Sequence, residues 1–180
     1  MHVGVVGCGY WGPNLVRNLS ENRICTKLSI CDLDPRKLDR LTLRYPAART
    51  FETFDELIAQ PDLHALMIAT PLSSHYPLAR QALERGLHIF VEKPFTGSSA
   101  QAEELIAIAD ARHLTIAVGH TFLFSPPVVK IREILDRKEL GKIYYISSTR
   151  VNLGLHQKDI SVVWDLAPHD LSMIMYWLGE

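Results

Sequence analysis

The chain opens with a short apolar run that leads directly into three closely spaced glycines, in the stretch HVGVVGCGYWGPNLVRNL. The run at residues 2–6 is rich in valine, which predicts a buried strand, and the apolar residues after the glycines return at helical spacing. At a strand–turn–helix junction of this kind, Gly7 permits a tight turn, Gly9 lets a ligand approach the backbone, and Gly12 lets the helix pack closely on the sheet. The stretch therefore predicts a pyrophosphate site at the start of the first helix.

The end of the second predicted strand distinguishes a dinucleotide site from the alternative, a glycine-rich turn without a ligand. That strand ends in Asp32, where a carboxylate accepts hydrogen bonds from the adenosine ribose and repels a 2′-phosphate. We therefore predict NAD as the cofactor, with NADP still possible because the cation Arg36 lies nearby in the sequence. Tyr10 and Trp11 in the glycine turn are expected either to cover the pyrophosphate or to pack on a neighbouring loop.

Apolar runs alternate with helical segments along residues 1–121. The predicted strands cover residues 2–6, 27–32, 65–70, 88–92 and 114–119. Helix-capping signals stand between them, at Asp34 before Pro35, at Thr53 with Glu56, and at Ser98 with Gln101. Alternation at this rhythm predicts an α/β fold, a Rossmann-type doubly wound parallel sheet with helices on both faces, as the dinucleotide-binding domain.

The pattern changes after residue 121. Residues 122–180 contain a predicted amphipathic helix that starts at Pro126, a long alternating strand over 142–154, and a final apolar helix. We expect this part to be the start of a second, α+β domain with an open sheet that carries the substrate and oligomer contacts, and we expect that domain to be incomplete.

Composition and charge argue against several classes of partner. The net charge is −1 and the pI about 6.7, so nothing predicts binding to nucleic acid or to a membrane surface. The three cysteines, Cys8, Cys25 and Cys31, form no CxxC pair, and no apolar run approaches the roughly 18 residues of a membrane span. We therefore expect a cytoplasmic protein with reduced thiols. No set of histidines has metal-ligand spacing, so we expect no metal.

Three further motifs are specific to one family. They are TPxxxH at Thr70, Pro71 and His75, EKP at Glu92, Lys93 and Pro94, and DxxxH at Asp165 and His169. With the glycine stretch, they make the chain resemble the glucose–fructose oxidoreductase / inositol dehydrogenase / MocA family over essentially its whole length. The resemblance implies an NAD(P)-dependent dehydrogenase or ketoreductase. It would transfer a hydride between nicotinamide and a secondary ring hydroxyl or ketone of a sugar, nucleotide sugar or cyclitol, and would form a homo-oligomer.

The resemblance also implies roles for the residues that follow the strands. Thr70, Pro71, Glu92 and Lys93 would contact the cofactor. His75 would contact the nicotinamide ribose, with a helix-capping role as the alternative. Lys93 would also be a catalytic base, since a lysine at the carboxyl end of a parallel strand faces the ligand crevice. Its alternative is a solvated surface lysine.

Asp165 and His169 complete the implied catalytic group, with either Lys93 or His169 as the base and Asp165 holding the pair. Residues four apart share one face of a helix, and Pro168 is tolerated only in a first helical turn. We therefore place the helix start near Asp165, where the helix dipole favours a neutral imidazole. The alternative is an N-cap aspartate beside an incidental histidine.

Two departures from the family limit what can be transferred. Ile160 and Ser161 stand where small, glycine-like residues are common, which weakens any transfer of substrate identity. Family members also usually continue for about another half domain. A second hypothesis is therefore a catalytically inactive NAD(H)-binding module or fragment without a complete substrate site.

Overall fold

A six-stranded parallel sheet is the centre of the fold in the computed structural model, which describes residues 1–151 and 160–179. Its strands are β1 (His2–Val6), β2 (Lys27–Cys31), β3 (Arg49–Phe51), β4 (Ala65–Ile68), β5 (His88–Val91) and β6 (Ile116–Val118). They lie in the order β3-β2-β1-β4-β5-β6, and every neighbouring pair is parallel. This confirms the predicted Rossmann-type α/β fold.

The helices begin largely where the capping signals predict. They are α1 (Gly12–Glu21), α2 (Pro35–Arg44), α3 (Phe54–Ile58), α4 (Leu72–Glu84), α5 (Ser99–Ala111), the 3-10 turn (Thr121–Phe124), α6 (Pro126–Asp136) and α7 (Val162–Leu178). Asp34 caps α2 with its side chain, and Thr53 and Glu56 form the predicted reciprocal capping box of α3. Each cap satisfies backbone amides that have no acceptor within the helix.

Two details in this part of the chain differ from the predictions. The Ser98 side chain accepts from the amide of Gln101, but the Gln101 side chain accepts from Gly97 instead of returning to Ser98, so the predicted box is half formed. The strand β3 was not predicted. It is three residues long, lies at the sheet edge, and has two exposed residues, so it carries no apolar run.

The two faces of the sheet bury separate apolar clusters. Val5, Val16 and Ile30 lie in the cluster under α1 and α2, and all three are fully buried. Leu66 and Ile68 lie in the cluster that α3, α4 and α5 cover. Neighbouring residues of a strand point to opposite faces, so a sheet covered on both sides needs near-continuous apolar strands. The glycine turn is thereby held on a rigid base.

The strand order reverses between β1 and β4. β1 pairs with β2 on one side and with β4 on the other, and the helices that follow β1 and β4 cover opposite faces. In open α/β sheets such a reversal opens a crevice at the carboxyl ends of the two strands. Gly7 and Ala69 stand at these two strand ends.

A polar network joins β1, β2 and the segment before β4 at the amino ends of these strands. The His2 ring lies 2.8 Å from the Ser29 hydroxyl through Nε2 and 3.0 Å from Asp62 through Nδ1. Lys27 donates to the other oxygen of Asp62 at 2.6 Å, and the amide of His2 donates to the ring of His64. Ser29 is fully buried, so this Ser–His–Asp arrangement has no access to a substrate and stabilises the fold.

The His2 network makes the stability of the protein dependent on pH. Burial lowers the pKa of His2 below its ordinary value of 6.5, with Lys27 acting in the same direction and Asp62 opposing it. The unfolded chain therefore takes up this proton at higher pH than the folded one, so stability is full above pH 6.5 and falls as the pH drops below it. The hydrogen bond from Lys27 lowers the pKa of Asp62 to about 2, which keeps Asp62 ionised throughout that range.

Urea unfolding between about pH 7.5 and 5 tests this. The wild-type free energy of unfolding is expected to fall below pH 6.5, and less of that fall is expected in His2→Gln. His113→Asn, at an exposed histidine with positive φ, is the control and should follow the wild type. Equal pH profiles for His2→Gln and the wild type would contradict the assignment.

A second compact unit begins at His120, after a first unit over Met1–Gly119. In the second unit α6 packs on α7. The Trp177 indole donates to the carbonyl of Val128 at 2.9 Å, Arg132 donates to the carbonyl of Tyr176, and Met173 is buried.

Two sequence predictions for this unit are wrong. Residues 142–151 form no strand with any other residue that the structure describes, because a strand needs a hydrogen-bonded neighbour; residues 152–154 of the predicted strand lie outside the described residues. α7 begins at Val162, not near Asp165, because the side chain of Ser161 caps it by accepting from Trp164. Pro168 therefore lies inside the helix.

Candidate functional site

The three glycines of the first turn have three different surroundings. Gly7 has a φ of 92°, and a Cβ there would lie 2.6 Å from the carbonyl oxygen of Ala69. A Cβ on Gly12 would lie 1.9 Å from the carbonyl oxygen of Gly7. A Cβ on Gly9 would meet nothing within 4 Å. The fold itself thus requires glycine at residues 7 and 12, whereas the bare backbone at residue 9 leaves space for a ligand.

A cleft of about 560 Å³ opens beside this turn, at the carboxyl ends of β1, β2 and β4. Its lining includes Gly7, Gly9, Asp32, Thr70 and Pro71. These residues come from three separate stretches of sequence, and the strand reversal brings them together. The size and position of the cleft suit an elongated ligand that runs from the α1 N-terminus towards β2.

Asp32 connects the glycine turn to the turn after β2. Its Oδ2 accepts from the backbone amide of Cys8 at 2.7 Å, and its Oδ1 accepts from the amide of Asp34 at 2.9 Å. The side chain is nearly buried but lines the cleft. These bonds orient the carboxylate at the end of β2, and its contact with a ribose stays a prediction.

The basic residue beside Asp32 is Lys37, which the sequence analysis did not single out. Its Nζ lies 3.2 and 3.3 Å from the two Asp32 oxygens. Arg36, the cation singled out from the sequence, is 84% exposed and pairs with Asp34, whose pKa it lowers through their hydrogen bond. Helical side chains lean towards the helix N-terminus. A lysine at the third position of α2 could therefore have been predicted to reach back to Asp32.

Tyr10 and Trp11 project from the glycine turn into solvent. They are 76% and 43% exposed, and their rings meet edge to face with centroids 5.7 Å apart. The pair therefore packs on itself within the first unit. Cover of a pyrophosphate by these rings stays a prediction.

His75 lies beneath the cleft, 2% exposed. Its Nδ1 lies 2.9 Å from the carbonyl oxygen of Pro94, and its Nε2 lies 2.8 Å from that of Thr70. The ring thus ties together the segments that follow β4 and β5. This burial favours a structural role, and the contact with the nicotinamide ribose stays a prediction.

Glu92 and Lys93 follow directly after β5. Glu92 is buried against the backbone of Gly119, where a Cβ would lie 2.9 Å from its Oε2. Burial raises the pKa of Glu92, and the neighbouring Lys93 opposes that rise. Lys93 is half-buried, and the Lys93–Pro94 peptide bond is cis. The predicted catalytic lysine therefore lies just beyond the carboxyl end of β5.

Asp165 and His169 lie on α7, in the second unit. Four residues separate them, so they share one face of this helix as predicted. Because α7 begins at Val162, His169 lies in its third turn and not at the N-terminus. The effect of the helix dipole fades within the first turn, so the predicted position of His169 at the positive end of the helix is wrong. The ring of His169 instead meets that of Phe122 edge to face, with centroids 4.7 Å apart.

Within residues 1–151 and 160–179, no cluster of three histidine, cysteine or carboxylate side chains has the geometry for a metal ion. Over the same residues, no helix is long and apolar enough to cross a membrane.

Comparison with known proteins gives one matching family over most of the chain. The model of the GFO_IDH_MocA family, described as an oxidoreductase family with an NAD-binding Rossmann fold, matches residues 1–120. UDP-N-acetylglucosamine 3-dehydrogenase of Acidithiobacillus ferrooxidans is 29% identical over 180 residues, which are 99% of this chain and 55% of that protein. D-xylose 1-dehydrogenase (NADP(+)) of Hypocrea jecorina is 34% identical over 111 residues, 61% of this chain and 28% of that protein.

Solved structures show the same similarity. The crystal structure of GenD2 from gentamicin A biosynthesis, in complex with NAD, matches with a TM-score of 0.89 at 26% identity. The match covers 99% of this chain and 54% of that one. The chain thus spans about half the length of the relatives that match 99% of it.

Proposed function

The chain belongs to the Gfo/Idh/MocA family of NAD-binding oxidoreductases, and on that premise we propose that it transfers a hydride between a nicotinamide cofactor and a sugar-type substrate. The substrate position would be a secondary ring hydroxyl or its ketone, in a sugar, nucleotide sugar or cyclitol. The observation that supports this most directly is the cleft that both the bare Gly9 backbone and the Asp32 carboxylate line.

The cleft residues fit an NAD molecule. The first amides of α1 have no acceptor within the helix and, with the helix dipole, favour a diphosphate beside Gly9. The oriented carboxylate of Asp32 suits the two hydroxyls of an adenosine ribose. Thr70 and Pro71 line the same cleft after β4, on the side expected to hold the nicotinamide half.

The proton in this reaction would be handled by three side chains. When bound, the nicotinamide supplies the hydride acceptor or donor. Lys93 takes the proton of the substrate hydroxyl, alone or in a relay with His169, and returns it when the ketone is reduced. Asp165, which shares a helix face with His169, would hold the pair.

The substrate class is supported by relatives. One relative that matches 99% of the chain is named as a dehydrogenase of UDP-N-acetylglucosamine, a nucleotide-linked sugar. Another is named as a dehydrogenase of D-xylose. We therefore expect activity first with nucleotide sugars and free sugars.

Measuring the absorbance of reduced nicotinamide tests the proposal. The protein is mixed with NAD or NADH and a panel of nucleotide sugars, free sugars and inositols in oxidised and reduced forms. A change with at least one member supports the dehydrogenase. NADH binding without any change across the panel would refute the turnover and leave the second hypothesis.

That second hypothesis is an NAD(H)-binding module without turnover. It is favoured by one observation: the cleft residues all belong to the first compact unit, Met1–Gly119. On this hypothesis the first unit binds the cofactor by itself.

Lys37 is expected to moderate the preference for NAD over NADP. Lys37→Met removes the cation that partly neutralises the Asp32 carboxylate, so repulsion of a 2′-phosphate increases. We expect the ratio of the NADPH and NADH dissociation constants to rise about tenfold, roughly 1.4 kcal/mol. Fluorescence titration of both cofactors measures it, with the neighbouring Arg36→Met as the matched control. An equal ratio in Lys37→Met and Arg36→Met would contradict the assignment.

A further inference from the structure

A chain of side-chain contacts in the second unit leads to His169. Arg150 donates to both oxygens of Asp170, from Nε at 2.8 Å and from Nη2 at 3.1 Å. Its guanidinium carbon lies 4.9 Å from the centroid of the Phe122 ring. That ring meets the imidazole of His169 with centroids 4.7 Å apart and planes 81° apart.

Each contact in this chain has a directional preference. A bidentate Arg–carboxylate pair fixes the plane of the guanidinium. A cation over an aromatic face and an edge-to-face pair of rings each hold the ring between them in one orientation. Phe122 is therefore held on two sides, by Arg150 and by His169.

The contacts also join three separate segments. Phe122 belongs to the 3-10 turn, Arg150 to residues 142–151, which form no described strand, and the other two residues to α7. Arg150 is only 26% exposed in its side chain, so the pair is partly shielded from water and is stronger than a surface ion pair.

Arg150 offsets the charge of Asp170, which follows His169 in the sequence. The hydrogen bond from Arg150 lowers the pKa of Asp170, and His169 acts in the same direction. Asp170 is thus an ionised neighbour of His169 whose charge Arg150 offsets. The other carboxylate on this part of α7 is Asp165, and the residue that the 3-10 turn brings to the imidazole is the uncharged Phe122.

We propose that Arg150, held by Asp170, is a positioning residue that orients the imidazole of His169 through the Phe122 ring. Its positive charge also offsets the negative charge of the Asp170 carboxylate near that imidazole. The catalytic meaning of this arrangement rests on the proposed function, in which His169 relays a proton. The contacts themselves do not depend on it.

Nuclear magnetic resonance of the histidine rings tests the proposal without cofactor or substrate. The chain has 8 histidines, and the spectrum of His169→Gln identifies the His169 signals. The variants are Arg150→Met, Phe122→Leu, Asp170→Asn and the double variant Arg150→Met/Asp170→Asn. Arg137→Met is the control, since it removes an exposed arginine of the same unit that pairs loosely with Glu139.

The expected results differ between the variants. Phe122→Leu removes the aromatic ring, and Arg150→Met removes the cation that holds it. In both variants the chemical shifts of the His169 ring protons should lose the contribution of the Phe122 ring. Arg150→Met moves the titration midpoint of His169 to higher pH because Asp170 is left without its cation. Asp170→Asn moves it to lower pH, and the double variant returns it close to the wild type.

The opposite results would overturn the proposal. One is that the His169 signals and titration midpoint of Arg150→Met match those of Arg137→Met. The other is that the midpoint of the double variant stays away from the wild-type value. If Arg150→Met fails to fold, Arg150→Lys decides. Lysine keeps the charge without the planar fork, so the titration midpoint should stay while the ring-proton shift changes, and an unchanged shift overturns the proposal. If these expected His169 results are obtained but the protein shows no turnover, only the proposed function is refuted.

Discussion

Gly12→Ala is expected to destabilise the protein by about 3 kcal/mol and lower its unfolding midpoint by roughly 10 °C or more. The added Cβ would lie 1.9 Å from the Gly7 carbonyl oxygen. That oxygen is a backbone atom, so no side chain can move aside. Either α1 must leave the sheet or the glycine turn must open. Thermal unfolding followed by circular dichroism measures the change, and a wild-type midpoint would contradict the close packing.

Gly9→Ala is the matched control, because its Cβ meets nothing within 4 Å. We expect an unfolding midpoint within about 2 °C of the wild type. NADH binding should nevertheless weaken at least about tenfold, because the methyl group enters the space expected for the pyrophosphate. Wild-type affinity in Gly9→Ala would place the diphosphate elsewhere.

Lys93→Met is expected to reduce turnover by about 10²- to 10⁴-fold, the usual contribution of a positioned general base. The dissociation constant of NADH should stay within a few-fold, because the methionine keeps the aliphatic part of the side chain. Steady-state rates and a fluorescence titration measure the two effects on the substrate that gives turnover with the wild type.

The control for this variant is Lys130→Met, at an exposed lysine that pairs with Glu133 on α6. It should keep wild-type rates. Loss of turnover in both variants would indicate a general effect of charge, and near-normal turnover in Lys93→Met would refute its role as the base.

The first unit was predictable because its signals are local. The strands β1 and β2 are short and rich in valine, leucine and isoleucine. The side chains of Asp34 and Thr53 cap the helices α2 and α3. β3, in contrast, depends on pairing with β2 through Ser29, Ile30 and Cys31. A short, exposed edge strand has no signal of its own in the sequence.

The second unit was harder because its signals conflict. Pro168 argued for a late helix start, but Ser161 offered a side-chain cap four residues before Asp165. Alternating residues from 142 onwards suited a strand, but a strand forms only where a partner is available. A pattern of residues favours one secondary structure, and contacts with the rest of the protein determine whether that structure forms.

The candidate site was predictable in its anchors and not in their neighbours. Gly7, Gly12 and Asp32 hold the positions that the motif requires. The pairing of Lys37 with Asp32 and the burial of His75 between two carbonyl oxygens arise from the packing of whole elements. Neither contact belongs to the motifs on which the site was predicted.

Calorimetric titration of NADH into the wild type and Asp32→Ala tests the central claim most directly. The arrangement of the cleft predicts binding heat for the wild type and a dissociation constant at least about tenfold weaker for the variant, a loss of roughly 1.4 kcal/mol or more. Absence of binding heat in the wild type, or equal affinity in the two proteins, would contradict a dinucleotide site between Gly9 and Asp32.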